Sequence, residues 1–201
     1  MGGIIPAIRR YNIGMPIIED ALSALSETLE ARNLEYELVA VGGSSLVLLG
    51  LITRATRDLD IVAVVEAGRY LGAGTLPQPL VEAVRDVGEV LGIGIDWLNA
   101  GPSAILEFGL PEGFAERAEV RSFGALTLHL ASRFDQIHLK LYAAVDQGPR
   151  SKHVADLRAL EPSHEELRSA AVWARTHDPS PAFREELLAA LRLFGVDDAD
   201  V

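Results

Sequence analysis

Apolar residues in the first third of the chain recur first at helical and then at strand spacing. A helix is predicted over residues 17–32, where leucine and alanine repeat at steps of three and four. Residues 36–41 form a predicted buried strand, which is followed by a tight Gly42-Gly43 turn and a short helix capped by Ser44 and ending near Gly50. A second strand, rich in valine and isoleucine, is predicted over residues 59–65.

The middle of the chain has a weaker pattern. Glycine and proline predict a loop over residues 68–78, and a helix is expected over 80–91. A strand is expected over residues 93–98, and two short strands, 120–123 and 125–130, are expected to meet at Gly124. We expect all of these strands to complete one sheet.

From residue 132 the pattern predicts helices only. The breaks between them contain proline, and the predicted helices are 132–145, 152–160, 165–176 and 181–194. The chain is therefore expected to have an α/β fold, with a mixed sheet flanked by helices and a C-terminal helical portion. We place a boundary near residue 131, which gives an α/β domain over 1–131 and a helical region over 132–201 packed on it. The acidic end from Asp197 is expected to be a frayed tail.

Composition excludes several kinds of site. The 201 residues contain no cysteine, so any metal must be held by oxygen or imidazole ligands, and disulfides are impossible. The longest apolar stretch is too short for a bilayer span, and the start lacks a signal-peptide pattern, so we expect a cytoplasmic protein without a membrane partner.

Charge bears on the choice of partner. The net charge of −11 argues against binding nucleic acid across a broad surface, because such binding needs many lysines and arginines. Local basic clusters remain at Arg54 with Arg57, and at Arg150, Lys152 and His153. Small basic clusters of this kind are often solvated loops. The five histidines lack metal-ligand spacing, and His153 is the best candidate for a role because it neighbours Lys152 and Asp156.

Asp58 and Asp60 stand at the head of the second predicted strand. Residues two apart in a strand point to the same face at about 6–7 Å, so both carboxylates can reach one cation. Aspartate is depleted in strands, and a bound Mg²⁺ or Mn²⁺ would offset the repulsion between the two charges. Taken alone, an exposed strand entrance explains such a pair more often than a metal does.

The turn at Gly42, Gly43, Ser44 and Ser45 adds a second feature. Glycines between a strand and a helix let backbone N–H groups approach a phosphate closely, and the serines add hydroxyl donors. The alternative is a plain strand-to-helix turn that needs flexibility and a cap.

Together, these elements resemble the nucleotidyltransferase superfamily, in which a Gly-Gly or Gly-Ser turn precedes an Asp-hydrophobic-Asp strand. The run from Arg54 to Asp60 also resembles the Arg-x-Thr-x-Asp-x-Asp run of the AbiEii-like and DUF6036-like bacterial group. The resemblance implies a nucleotidyltransferase-like mixed sheet. It also implies transfer of a nucleoside monophosphate from an NTP to an acceptor hydroxyl, with Mg²⁺ or Mn²⁺ on the aspartates.

The same resemblance assigns further residues. In the AbiEii-like group a helix-borne lysine and a later aspartate complete the active site, and Lys140 and Asp156 stand at these positions. Lys140, together with Arg54 or Arg150, would balance the phosphate charge, and Asp96 is the candidate for a third metal ligand. Asp96 or Asp156 could accept the proton of the acceptor hydroxyl.

Each of these assignments has an alternative. Lys140 could be a surface lysine lying along the core. Asp156 could pair with Arg158 or Lys152, and Asp96 could be a turn or strand-end residue.

The resemblance suggests two classes of function. The first is an enzyme. Its AbiEii-like relatives point to the toxin of a toxin–antitoxin pair that modifies tRNA or a protein and has a cognate antitoxin, whereas other members of the superfamily modify small antibiotics. The second is a non-catalytic nucleotide-binding or antitoxin-like module on the same fold. The intact aspartate pair and Lys140 favour the enzyme, whereas the lack of a clear third carboxylate favours the module.

Overall fold

The computed structural model describes residues 15–56 and 58–197. The N-terminal start, Arg57 and the acidic end beyond Asp197, which entered the sequence argument, lie outside these residues. Within the described ranges, none of the helices has the length and apolar character needed to cross a membrane.

A mixed sheet of six strands forms the centre of the fold, and the predicted α/β class is confirmed. The strands are β1 (Tyr36–Val41), β2 (Leu59–Glu66), β3 (Arg69–Gly72), β4 (Leu98–Asn99), β5 (Glu119–Ser122) and β6 (Leu126–Leu130). The strand order is β3-β2-β1-β6-β5, and β4 pairs separately with β2. Strand β1 runs parallel to β6 and antiparallel to β2, while β4 runs parallel to β2.

Helices cover both faces of the sheet and continue into the C-terminal portion. They are α1 (Met15–Ala31), α2 (Gly42–Leu48), α3 (Gln78–Leu91), α4 (Phe114–Arg117), α5 (Arg133–Gln147), α6 (Lys152–Leu160), α7 (His164–His177) and α8 (Pro181–Arg192). A 3-10 helix spans Ser103–Phe108.

The core is divided by the sheet because successive side chains of β1 point to opposite faces. Leu38 and Ala40 pack in a cluster with the leucines of α1 and α3, whereas Val39 and Val41 pack on the other face with Leu139 of α5. A third cluster joins Leu46 and Val47 of α2 to helices α5–α8. Helix α2 therefore links the sheet to the helical portion, whereas the domain boundary near residue 131 stays a prediction.

Three local predictions were wrong. The predicted loop over 68–78 contains β3, because Arg69–Gly72 turns back to pair with β2. The predicted strand over 93–98 is reduced to Leu98–Asn99, since Trp97 is buried and its indole N–H donates to the carbonyl of Val84 on α3 at 2.9 Å. Helix α2 begins at Gly42, with Val41 as its N-cap, so Ser44 lies inside the helix and does not cap it.

Candidate active site

Asp60 occupies the position where three strand ends meet. It pairs with Val41 at the end of β1 and with Asn99 of β4, and Asp58 precedes it by two residues. Both aspartates are half-buried. The two carboxylates are close enough for the charge of Asp58 to raise the pKa of Asp60.

Gly42 lies directly against this carboxylate. A Cβ on Gly42 would lie 2.5 Å from Oδ2 of Asp60, and the backbone φ of +80° is in the left-handed region that favours glycine. The Gly42 turn and the strand that carries Asp60 therefore lie directly against each other. The same contact leaves no room for a side chain at position 42.

Gly43 lies against Arg54 and Thr56, which belong to the loop that precedes β2. A Cβ on Gly43 would lie 2.8 Å from Nη2 of Arg54 and 3.0 Å from Cγ2 of Thr56. Ser44 is fully buried, and its hydroxyl bonds Thr56 Oγ1 at 2.6 Å and the carbonyl of Asp58. Its side chain holds the loop that carries the aspartates, so it is occupied within the protein. In the part of the chain that the structure describes, the buried hydroxyl of Ser45 has no hydrogen-bond partner.

Arg54, Asp156 and Lys140 form one ion-pair network. Arg54 Nε and Nη2 donate to Oδ1 and Oδ2 of Asp156 at 2.6 and 2.7 Å, and Lys140 Nζ donates to Oδ2 at 2.7 Å. Burial would raise the pKa of Asp156, but the hydrogen bonds and charges of Arg54 and Lys140 outweigh burial and hold it below its usual range. Asp156 is therefore a carboxylate that orients two cations.

The electrostatic balance at Asp60 favours a cation. Burial and then the charge of Asp58 raise the pKa of Asp60 to about 6, and the opposing effects of Lys152, Lys140 and Asn99 only partly offset this. The Asn99 carboxamide is oriented because its Oδ1 accepts from the N–H of Gly101 at 2.8 Å, which leaves Nδ2 to donate to Asp60. A divalent cation would stabilise the ionised form of both aspartates.

The aspartate pair fits Mg²⁺ or Mn²⁺ held together with substrate. In the ranges 15–56 and 58–197, no group of three or more His, Cys, Asp or Glu side chains is placed to hold a metal. Mg²⁺ is usually bound by one or two carboxylates with substrate phosphates and water, so two carboxylates are a sufficient protein share. Asp96 lies in an exposed turn three residues before Asn99, and Asn99 is the residue beside Asp60.

Three residues of this region were not predicted from the sequence to belong to the site. Asn99, Thr56 and Gln136 all contact the turn or the aspartate loop, and Gln136 Oε1 accepts from the N–H of Gly42 at 3.3 Å. The sequence feature that could have identified Asn99 is its position directly after a short apolar run. For Gln136, the signal was a polar residue on the apolar face of a helix.

His153 stands one helical turn before Asp156 on α6. Burial first, and then the charges of Lys140 and Lys152, lower the pKa of His153 to about 4. Both ring nitrogens are buried without a partner among the described residues. The imidazole is therefore neutral at pH 7 and adds no positive charge to the network.

The pH dependence of folding should reveal Asp60 and His153 as opposing groups. Between about pH 4 and 6 the raised pKa of Asp60 makes the folded state bind more protons, so its contribution to stability falls as pH rises. Between about pH 4 and 6.5 the lowered pKa of His153 makes the unfolded state bind more protons, so its contribution rises with pH.

We therefore expect a shallow stability profile for the wild type in EDTA. Asp60→Asn should make the free energy of unfolding fall more steeply as the pH is lowered, because only the His153 effect remains. His153→Gln should make the free energy of unfolding rise as the pH is lowered, because only the Asp60 effect remains. Urea unfolding at pH 5.5, 6.0 and 6.5 would measure this, and identical slopes in all three proteins would contradict it.

Gly42→Ala should cost more stability than Gly50→Ala. Both positions have positive φ, +80° and +70°, so both variants carry a strain of about 1 kcal/mol. Gly50 has open space where a Cβ would stand, whereas the Gly42 Cβ would displace the Asp60 carboxylate and add about 1–3 kcal/mol. Urea unfolding compares the two variants, and equal losses would show that Asp60 moves away without cost.

Comparison with known protein families identifies one match. The model of one family, described as a nucleotidyltransferase of unknown function (DUF6036), matches residues 19–150. The matched range contains the turn, both aspartates and Lys140, and it ends before Asp156. Searches of curated proteins and of solved structures found no significant match. The chain belongs to the DUF6036 family of nucleotidyltransferases.

Proposed function

We propose that the protein transfers a nucleoside monophosphate from an NTP to an acceptor hydroxyl, with Asp58 and Asp60 holding Mg²⁺ or Mn²⁺. The observation that carries this proposal is the contact of Gly42 with Asp60, where a Cβ would lie 2.5 Å from the carboxylate. A polyphosphate beside Gly42 and Gly43 would lie next to the two carboxylates. Metal ligands and the phosphate-binding turn would then act on the same group.

The residues around the turn supply the charges that such a substrate needs. Arg54 lies next to Gly43. The positive charges of Lys140 and Lys152 are close enough to lower the pKa of Asp60 and that of His153. When bound, Mg²⁺ would polarise the α-phosphate and neutralise the pyrophosphate leaving group. We assign Gly42, Gly43, Ser45 and Arg54 to phosphate binding, while Ser44 orients the aspartate loop through Thr56.

In this reaction the acceptor oxygen attacks the α-phosphorus, and the bond from that phosphorus to the oxygen bridging the α- and β-phosphates breaks. The electron pair leaves with pyrophosphate, and the hydroxyl proton passes to water. Asp156 is unsuited to accept that proton, because both of its oxygens already accept hydrogen bonds from Arg54 and Lys140. We assign it to positioning these two cations against the phosphates.

One observation favours a second function, a non-catalytic nucleotide-binding or antitoxin-like module. The candidate third carboxylate, Asp96, stands in an exposed turn, and Asn99 occupies the place beside Asp60. A module of this kind would bind Mg·NTP at the turn without transferring the nucleotide. For the enzyme, we propose tRNA or protein as acceptor, in the manner of a toxin with a cognate antitoxin.

Labelled nucleotides test these alternatives directly. The protein is incubated with each α-³²P-labelled NTP, Mg²⁺ and either total cell RNA or total cell protein, and a parallel reaction contains EDTA. Label in RNA or in protein supports transfer and identifies the acceptor class. Binding of Mg·NTP without any label supports the module, and label that persists in EDTA would refute metal dependence.

A further inference from the structure

Gln136 is a fully buried polar residue whose side chain is only half satisfied. It lies on α5, four residues before Lys140, so the two side chains share one face of the helix. Its Oε1 accepts from the N–H of Gly42 at 3.3 Å. Its Nε2 is buried and has no hydrogen-bond partner among residues 15–56 and 58–197.

The orientation of this carboxamide is determined by Gly42. The Gly42 N–H is a donor, so it requires the acceptor oxygen of Gln136, and a flipped amide would place two donors against each other. The two N–H groups of Nε2 must therefore point elsewhere. A buried donor without a partner destabilises the free protein, and an apolar side chain of similar size would avoid this cost.

The surroundings of Nε2 indicate what could satisfy it. The carboxamide contacts the same glycine that abuts the Asp60 carboxylate, and the ammonium of Lys140 one turn further bonds Asp156. Gln136 therefore stands between the turn and the ion-pair network. A group that enters this site and accepts hydrogen bonds would meet Nε2, Lys140 and the turn together.

We propose that Gln136 is a nucleotide-binding residue, whose Nε2 donates to a phosphate oxygen of the incoming NTP while its Oε1 fixes the Gly42 turn. This inference rests on the proposed function, because it assumes that a polyphosphate occupies the site. The competing explanation is a purely structural amide, whose free donors bond a permanently enclosed water.

Two substitutions separate these roles. Gln136→Met keeps the size and removes both hydrogen-bonding groups, whereas Gln136→Glu keeps an acceptor for Gly42 and replaces the donor by a negative charge. Gln147, the exposed last residue of α5, supplies the matched controls Gln147→Met and Gln147→Glu. Calorimetric titration with each Mg·NTP and with Mg-tripolyphosphate gives Kd, and thermal unfolding gives Tm.

We expect Gln136→Met to raise the Kd for Mg-tripolyphosphate and for NTP about 10-fold or more. Its Tm should change little, because the substitution removes the unpaired Nε2 donor but also leaves the Gly42 N–H without its acceptor. Gln136→Glu should raise both Kd values about 100-fold, because a carboxylate would repel the phosphates. Both Gln147 variants should bind as the wild type does.

Several results would overturn the proposal. A lower Tm with unchanged Kd in Gln136→Met would show a structural amide, and unchanged Kd in Gln136→Glu would show that phosphate does not reach Nε2. Weaker NTP binding with unchanged tripolyphosphate binding would place the contact at the base or sugar. If the wild type binds neither probe, the proposed function itself fails. If the wild type binds and all variants bind equally, only the role of Gln136 fails.

Discussion

Replacement of Asp60 by asparagine is expected to lower the rate of nucleotidyl transfer by about 10³-fold or more and to leave the fold intact. A metal ion typically supplies several kcal/mol of transition-state stabilisation, and about 4 kcal/mol corresponds to a factor of 10³. Asparagine keeps the shape of the side chain beside Gly42 and Asn99. It removes a charge that burial disfavours, so the free energy of unfolding at pH 7 in EDTA should not decrease.

Initial rates with an α-labelled NTP across a Mg²⁺ titration would measure this effect. Asp58→Asn should behave in the same way, and Asp20→Asn, an exposed aspartate on α1, is the matched control with wild-type rates expected. A rate within a few-fold of the wild type for Asp60→Asn, with an unchanged Mg²⁺ requirement, would refute the assignment of the metal site.

Asp96→Asn belongs in the same series because Asp96 was the sequence candidate for a third ligand. Asp96 lies in an exposed turn, and the strand position beside Asp60 is occupied by Asn99, three residues later. A loss as large as that of Asp60→Asn would identify Asp96 as a ligand. A rate close to the wild type would leave the aspartate pair as the protein's share of the site.

The parts of this fold that could be predicted from sequence depend on local periodicity. The helix over α1 and the strands β1 and β2 have clear apolar patterns, and the turn between Val41 and Gly43 has its glycines beside them. The aspartate pair was predicted from a local rule as well, since residues two apart in a strand point to one face, and Asp58 lies directly before β2. These features need no knowledge of which elements pack together.

The remaining features depend on contacts between distant residues. Arg54 and Asp156 are 102 positions apart, and Gly42 and Gln136 are 94 apart, so no spacing rule could pair them. The strand predicted over 93–98 was wrong because its apolar residues do not share a buried face. Ile95 is exposed, whereas Trp97 is buried and its indole N–H donates to the carbonyl of Val84 on α3. Ser44 has the composition of a helix cap, but Thr56 and Asp58 provide it with partners from another segment.

Asp156→Ala is expected to be the most destabilising substitution of the site, with a loss of about 3–5 kcal/mol in the free energy of unfolding. The Asp156 side chain is 1% exposed, and it is the hydrogen-bond partner of Lys140, whose side chain is only 4% exposed. Without Asp156 the ammonium stays buried and unpaired. Arg54, at 35% exposure, can turn toward water and should contribute less to the loss. Urea unfolding of the variant would measure the change.

A double variant separates the stability of this network from its role in catalysis. Asp156→Leu with Lys140→Met removes both buried charges and fills the space with apolar groups, so most of the lost stability should return. Transfer activity should not return, because the cation proposed to balance the phosphate charge is absent. Urea unfolding and initial rates on the same preparations would test both expectations.

The comparison between the single and double variants decides what Asp156 does. If Asp156→Ala is as stable as the wild type, water must reach Lys140, and the ammonium is not confined as its 4% exposure indicates. If the double variant recovers both stability and activity, the ion pair is structural and Lys140 has no part in transfer. If only stability recovers, the charges of Asp156 and Lys140 lower the stability of the fold and are present because the substrate needs the lysine. That outcome is expected of a buried ion pair beside the proposed polyphosphate site, since apolar replacements of buried pairs are often neutral or stabilising.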